Sequence, residues 1–241
     1  MSLIERFHGL MELDTEDTWC AELFRIGNEL GFDYSLLAIV PKLGMKLEEA
    51  FLRSNYAEDW RAAYDESNLA YVDPTVAHCI TRTTSLVWSP DIFRTQDQKQ
   101  MYEEACAFGL RSGVTLPIHG PKGELGILCF VNDQQPGKHF RKDLAEQLPS
   151  MSLLRDVVFE TGMNFALPTT AVQVEPHLTP RELECLKWTA IGKTSWEIAT
   201  ILRCSEATSN FHIANFRMKL DVGTRREAVV KAIRLGIIDL P

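Results

Sequence analysis

The chain has 241 residues, with 25 Lys/Arg against 33 Asp/Glu, a formal net charge of −8 and 45% apolar residues. That is enough apolar matter for a real core in one large or two modest domains. No apolar run approaches the ~20 residues of a membrane span, the opening Met-Ser-Leu-Ile-Glu-Arg-Phe has no basic region leading into an apolar one, and Cys20, Cys79, Cys106, Cys129, Cys185 and Cys204 form no Cys-x-x-Cys pair, as expected of reduced thiols in a cytoplasmic protein without a membrane role.

In chain order, helical periodicity is expected at about 3–12, 17–30, 57–68, 74–82, 97–108 and 140–160. Strand patterns fall at 34–40, 48–54, 85–88, 112–118 and 124–132, the last two joined through Gly120-Pro-Lys-Gly123 as an antiparallel hairpin. Helices before and after such strands predict an α/β class, an α/β/α sandwich with an antiparallel sheet, over residues 1–162. Tyr56, Trp60 and Tyr64 recur every four residues, so they share one helix face, and Val72-Asp73-Pro74 follows closely. Two readings stay open. The stripe can be core and Asp73 a helix cap, or Asp73 can accept from an amide N–H while Trp60 and Tyr56 donate to carbonyls, gripping a polar head with a greasy tail beside it. Leu144, Leu148, Met151, Leu154 and Val158 form an apolar stripe on the 140–160 helix, read here as the face that pairs with a second copy. From 163 to 175 periodicity stops around Pro168, and a linker is expected before a domain at 176–241.

That last domain reads as an all-α helix-turn-helix unit. Thr179-Pro180 with Glu182, and Thr194 with Glu197, have the spacing of capping boxes, and Ser205 starts a third helix. On that third helix Ser209, Ile213, Phe216 and Leu220 face inward. Ala207, Phe211, Ala214, Asn215 and Met218 face outward, flanked by Thr208, Asn210 and Arg217. Such a helix reads bases in the major groove. Asn210 can bond an adenine edge twice, and Phe211 and Ala214 can touch thymine methyls. Lys193, Ser195, Arg217 and Lys219 are candidates for phosphate contacts, with Thr194 beside them. Residues 176–241 carry 10 Lys/Arg and 7 Asp/Glu, whereas residues 1–175 carry 15 and 26. An acidic body with a mildly basic end fits one DNA-binding module, and so weak a positive charge is expected to act in duplicate, as a dimer.

The chain resembles the LuxR family of quorum-sensing transcriptional regulators, and within it the LasR type. The likeness spans essentially the whole length. It rests on Asn55-Tyr56, Trp60-Arg61, Tyr64, Val72-Asp73-Pro74-Thr75-Val76, Trp88, Thr115-Leu116-Pro117 and Gly123-Glu124-Leu125-Gly126, then on Leu178-Thr179, Arg181-Glu182, Ile191–Ile198 and Asn210-Phe211-His212. The resemblance implies an N-acyl-homoserine lactone as ligand, with no cofactor and no catalysis. Trp60 would donate to the lactone carbonyl, Asp73 would accept from the ligand amide, and Tyr56 would donate to the acyl carbonyl. Arg61 and Thr75 would reach a 3-oxo group through water, if the ligand carries one. Thr115 and Trp88 would wall the ring, and Leu110 would also contact the ligand. Tyr64, Leu36, Ala38, Val40, Leu47, Ala50, Leu52, Val76, Leu125, Gly126 and Ile127 would line a medium-to-long tail. Cys129 stands where the family carries a hydroxyl residue, and a thiol is a weak donor. Ala38, Ile127, Leu47 and Met101 reshape the tail pocket, and Ser209 replaces an apolar β-branched residue.

The implied mechanism is ligand-coupled folding and homodimerisation, with two helix-turn-helix units on two-fold symmetric promoter DNA and RNA polymerase as a further partner. Activation is the expected output, and a member with relaxed ligand choice or a repressor role is the alternative. A lactone-processing enzyme is disfavoured: the sequence has no His-Glu-x-x-His and no Gly-x-Ser-x-Gly. A response regulator is disfavoured by the antiparallel hairpin.

Overall fold

The computed structural model describes residues 7, 9–41, 45–167 and 176–238. The chain divides into two compact units, Met1–Thr169 and Thr170–Pro241. Of the helix expected at 3–12, residues 7 and 9–11 are helical, while 1–6 and 8 lie outside the described residues.

The first unit runs α1 (Glu16–Glu29), β1 (Tyr34–Val40), β2 (Phe51–Ser54), α2 (Glu58–Glu66), α3 (Pro74–Thr81), β3 (Leu86–Val87), α4 (Gln96–Ala107), β4 (Ser112–His119), β5 (Leu125–Asn132) and α5 (Lys138–Ala166). Its five strands form one antiparallel sheet in the order β2-β1-β5-β4-β3. Gly123, at φ 88°, turns the β4–β5 hairpin, a backbone conformation that a side chain would strain.

Strand alternation sends the two faces of this sheet to different ends. Leu37 and Ile39 of β1, Val114 and Leu116 of β4 and Leu128 and Phe130 of β5 join Trp19 and Leu23 of α1 and Met151, Leu154 and Val158 of α5 in the main core. Leu36 of β1 and Ile127, Cys129 and Val131 of β5 face the other way, with Tyr56, Trp60, Trp88 and Leu110. The sandwich expected from the sequence is the one observed.

Two elements differ from their expected form, the second in both extent and burial. The strand expected at 48–54 begins as a 3-10 turn, Leu47–Glu49, because Glu49 caps the Lys46 N–H at 3.2 Å, and only 51–54 pair with β1. Helix α5 continues to Ala166, through Gly162 and into the stretch read as linker. A Cβ at Gly162 would lie 3.3 Å from both Trp19 and Leu37, so the glycine here permits close helix packing rather than ending the helix. The rest of that linker, 168–175, lies outside the described residues. The α5 stripe read as a dimer face is instead buried in the unit's own core: Leu144, Met151, Leu154 and Val158 are at most 2% exposed. A sheet face this apolar captures the nearest apolar stripe within its own chain.

The second unit holds α6 (Pro180–Ala190), α7 (Ser195–Leu202), α8 (Glu206–Lys219) and α9 (Arg225–Arg234). Capping boxes close α6, α7 and α9 at Thr179/Glu182, Thr194/Glu197 and Thr224/Glu227, and Ser205 caps α8. Cys185, Leu186, Ile198, Ile213, Phe216, Leu220, Ala228 and Ala232 make its core.

Candidate functional site

Between the sheet and α2–α4 lies a cavity of about 720 Å³, with a lobe of about 30 Å³ beside it. Tyr64, Asp73, Thr75 and Trp88 line both. The small lobe adds Trp60, Leu110, Phe93, Met101, Tyr102 and Ala105. Leu36, Ala38 and Val40 of β1, Leu47, Ala50, Leu52, Val76, and Leu125, Gly126, Ile127 and Cys129 of β5 wall the large one, with Tyr56 and Arg61. A Cβ on Gly126 would sit 2.8 Å from the Ala38 carbonyl, so the wall requires glycine there.

The polar groups cluster where the lobes meet. Asp73 is the helix cap of one reading, and it also lines the cavity. Its Oδ1 caps α3, accepting the Thr75 N–H at 2.7 Å, and its Oδ2 accepts from the Tyr64 hydroxyl at 2.9 Å. Burial pushes its carboxyl above the usual range, against hydrogen bonds from Thr75, Tyr64 and Val76 that pull it down. Burial also holds the Tyr56 and Tyr64 hydroxyls far up, so both are neutral donors. Among the described residues, neither the Tyr56 hydroxyl nor the Trp60 indole N–H has a hydrogen-bond partner, although both side chains are buried at the cavity. Two unpartnered donors and one acceptor thus converge on an apolar chamber, the arrangement that fixes a small polar head and leaves a tail to the lobe.

Not every expected residue reaches the cavity surface. Thr115 is fully buried behind it, accepting from the Trp88 indole at 2.7 Å and lying 3.2 Å from the Cys129 sulfur. It orients Trp88 rather than walling the chamber. Arg61 lines the cavity, but its guanidinium bonds Asp65 at 2.8 Å and lies over the Tyr64 ring. Burial pushes the Cys129 thiol up to about 12, so it is protonated.

In the second unit, α8 exposes Asn210, Phe211, Ala214 and Met218, with Thr208 exposed in its first turn and Asn215 half-buried. Of the four candidates for phosphate contact, three already have partners within the unit. Lys219 donates to Glu182 at 2.7 Å and to the His177 carbonyl at 3.1 Å. Arg217 donates to the Gly223 carbonyl. Lys193 pairs with Glu197 at 3.1 Å, and Ser195 opens α7 just after the Thr194 cap.

Residues 15–161 match the family described as autoinducer binding domain, and residues 176–232 match the bacterial regulatory proteins of the luxR family. The chain belongs to the LuxR family. The transcriptional activator protein VanR of Vibrio anguillarum is 33% identical over 215 residues, 89% of this chain and 88% of that protein. The transcriptional activator protein AnoR of Acinetobacter nosocomialis is 33% identical over 221 residues, 90% and 92% of the two chains. The crystal structure of Escherichia coli SdiA superposes with a TM-score of 0.71 at 27% identity, covering 98% of each chain. SdiA in complex with octanoyl-rac-glycerol superposes at 0.70 and 26%, covering 98% of this chain and 94% of that one.

Members of the LuxR family are transcriptional regulators, and this chain is an autoinducer-binding regulator with a helix-turn-helix DNA-binding domain, not an enzyme. Among the described residues no helix is long and apolar enough to cross a membrane. Sequence reasoning missed several cavity residues. Cys79 and Ile80 follow Val76 at helical spacing on α3, and Ala105 follows Met101 by four on α4, so completing those faces would have found them. Glu48, Asn68 and Tyr71 sit in turns, where no periodicity points anywhere.

Proposed function

We propose that the autoinducer is an N-acyl-homoserine lactone with a medium-to-long acyl chain, and that the chain acts as a cytoplasmic, homodimeric transcriptional activator. The observation that carries the ligand class is the convergence of unpartnered Tyr56 and Trp60 donors with the Asp73 acceptor at the end of an apolar lobe. A lactone carbonyl, an amide N–H and an acyl carbonyl are the complementary groups. Trp60 takes the lactone carbonyl, Asp73 the amide N–H, and Tyr56 the acyl carbonyl. Trp88 and Leu110 flank the ring. At about 720 Å³ the large lobe is in the range of cavities that enclose drug-sized ligands, which leaves room for a long chain.

Activation is supported by the names of VanR and AnoR, both activators. Asn210, Phe211 and Ala214 on α8 read bases, and Lys193 and Ser195 touch phosphates. Trp196 and Ile201, exposed on α7, offer RNA polymerase an apolar foothold. Dimerisation doubles the modest positive charge of the DNA-binding unit, through a surface other than the buried α5 stripe.

Asp73→Asn tests the ligand reading. Asn caps helices as well as Asp does, so α3 survives. Its amide either turns N–H groups toward the Tyr64 hydroxyl and the ligand amide or gives up the cap. Lactone affinity should fall about 10- to 100-fold, equivalent to ~1.5–3 kcal/mol for a hydrogen bond to a charged group. An unchanged affinity by calorimetric titration removes Asp73 from the site.

A further inference from the structure

Among the described residues, five of the large cavity's lining are also exposed on the protein surface: Glu48, Asp65, Asn68, Tyr71 and Ile80. None lies on the sheet. They occupy the 3-10 turn 47–49, the C-terminal end of α2 with the turn after it, and the end of α3. The cavity therefore reaches the surface along this rim, whereas Trp60, Trp88 and Leu110 at the head-group end are buried. Two rim residues are large and apolar in water: Tyr71 is 68% exposed and Ile80 is 47% exposed. Across the rim, the Tyr71 hydroxyl donates to Glu48 Oε1 at 2.6 Å, joining the turn after α2 to the 3-10 turn 47–49.

We infer that the tail lobe ends in an open mouth rather than a floor, with Tyr71, strapped to Glu48, and Ile80 as its lips, so that acyl chains longer than the lobe pass between them to solvent. This rests on the reading of the Trp60–Asp73 end as the head-group site. A closed pocket rejects a chain that is too long, because overpacking forces neighbours off their rotamers. An open mouth does not. Each methylene gains affinity until the chain reaches the lips, and further ones change little because they remain in water. The lips are thus specificity-determining residues: they hold the last buried carbons of a long chain and are beyond the reach of a short one.

The test is a series of unbranched N-acyl-homoserine lactones from 6 to 18 carbons, titrated into the full chain, beside 1-acylglycerols with the same tails. Affinity should climb by about fourfold per carbon, the fold-change of ~0.8 kcal/mol per buried methylene, and then level off. Tyr71→Ala and Ile80→Ser, both at exposed positions, should each cost long chains fivefold or more and leave hexanoyl binding unchanged. A tenfold fall on adding two carbons beyond the best length overturns the mouth, as does unaltered long-chain affinity in both variants. A levelling profile with acylglycerols but no lactone binding leaves the mouth standing and sinks the lactone reading.

Discussion

Cys129 lines the cavity with a thiol, where a hydroxyl would be the better donor. Its sulfur closes a short series in which Trp88 donates to Thr115 at 2.7 Å and Thr115 lies 3.2 Å from the thiol. The thiol is protonated, since burial pushes it up to about 12, but a neutral S–H is a poor donor to a carbonyl. An oxygen in its place, at a position that lines the cavity, would give the ligand carbonyl a second donor beside Tyr56. Cys129→Ser should therefore tighten lactone binding by about 2- to 10-fold, the range of one neutral hydrogen bond at ~0.5–1.5 kcal/mol. Titration with the same lactone against both proteins decides it. Equal or weaker binding by the serine variant means that the thiol costs the site nothing.

At the scale of an element, α8 carries two conflicts of opposite sign. Ser209 is fully buried, and its hydroxyl has no partner among the described residues. An unsatisfied buried hydroxyl costs about 1–3 kcal/mol. Ten residues on, Lys219 ties the same helix to α6 through Glu182, whose carboxyl stays below its ordinary 4.5: burial pushes it up, but the Lys219 bond and the Thr179 cap outweigh that. Ser209→Ala should raise the melting temperature of the second unit, by roughly 4–8 °C per kcal/mol for a unit of this size. Lys219→Met should lower it, because it leaves a buried carboxylate short of a donor. The sign with pH follows from a depressed folded-state value. The Lys219–Glu182 contribution is complete above 4.5 and disappears as pH falls through the folded value, so the methionine variant should approach wild type in acid. Calorimetric scans at neutral and acid pH give both answers, and a Ser209→Ala variant that melts lower than wild type refutes the first. Much of α8 was legible beforehand, since capping spacing and the inward 209-213-216-220 stripe are local. The employment of Lys219 and Arg217 was not, because a helical wheel gives direction but cannot say that Glu182, 37 positions earlier, waits there.

Over the whole molecule, legibility follows the same division between local and distant. Strand alternation foretells that Leu36, Ala38 and Val40 share a face, and the face they share is the cavity's. It cannot foretell which apolar stripe covers the opposite face, and so the α5 stripe was assigned to a second copy when the first unit's own sheet claims it. That burial also bears on how ligand and stability are linked. The main core on the α1/α5 side is complete in itself, whereas the α2–α4 side encloses a chamber of about 720 Å³. Dispersion contacts missing around such a chamber weaken the elements that line it. A ligand that binds only the folded first unit adds about 2.7 kcal/mol at a hundredfold excess over its dissociation constant. For a unit of Met1–Thr169 this corresponds to a rise of roughly 5–11 °C, at ~2–4 °C per kcal/mol. The described lining of the chamber falls within residues 36–129, so the second unit's transition should stay where it was and serve as the internal reference. A calorimetric scan of the full chain with and without saturating long-chain lactone reads both transitions together. If the first fails to move while titration confirms saturation, the ligand does not act by completing this core, and the coupling to DNA binding must be sought elsewhere.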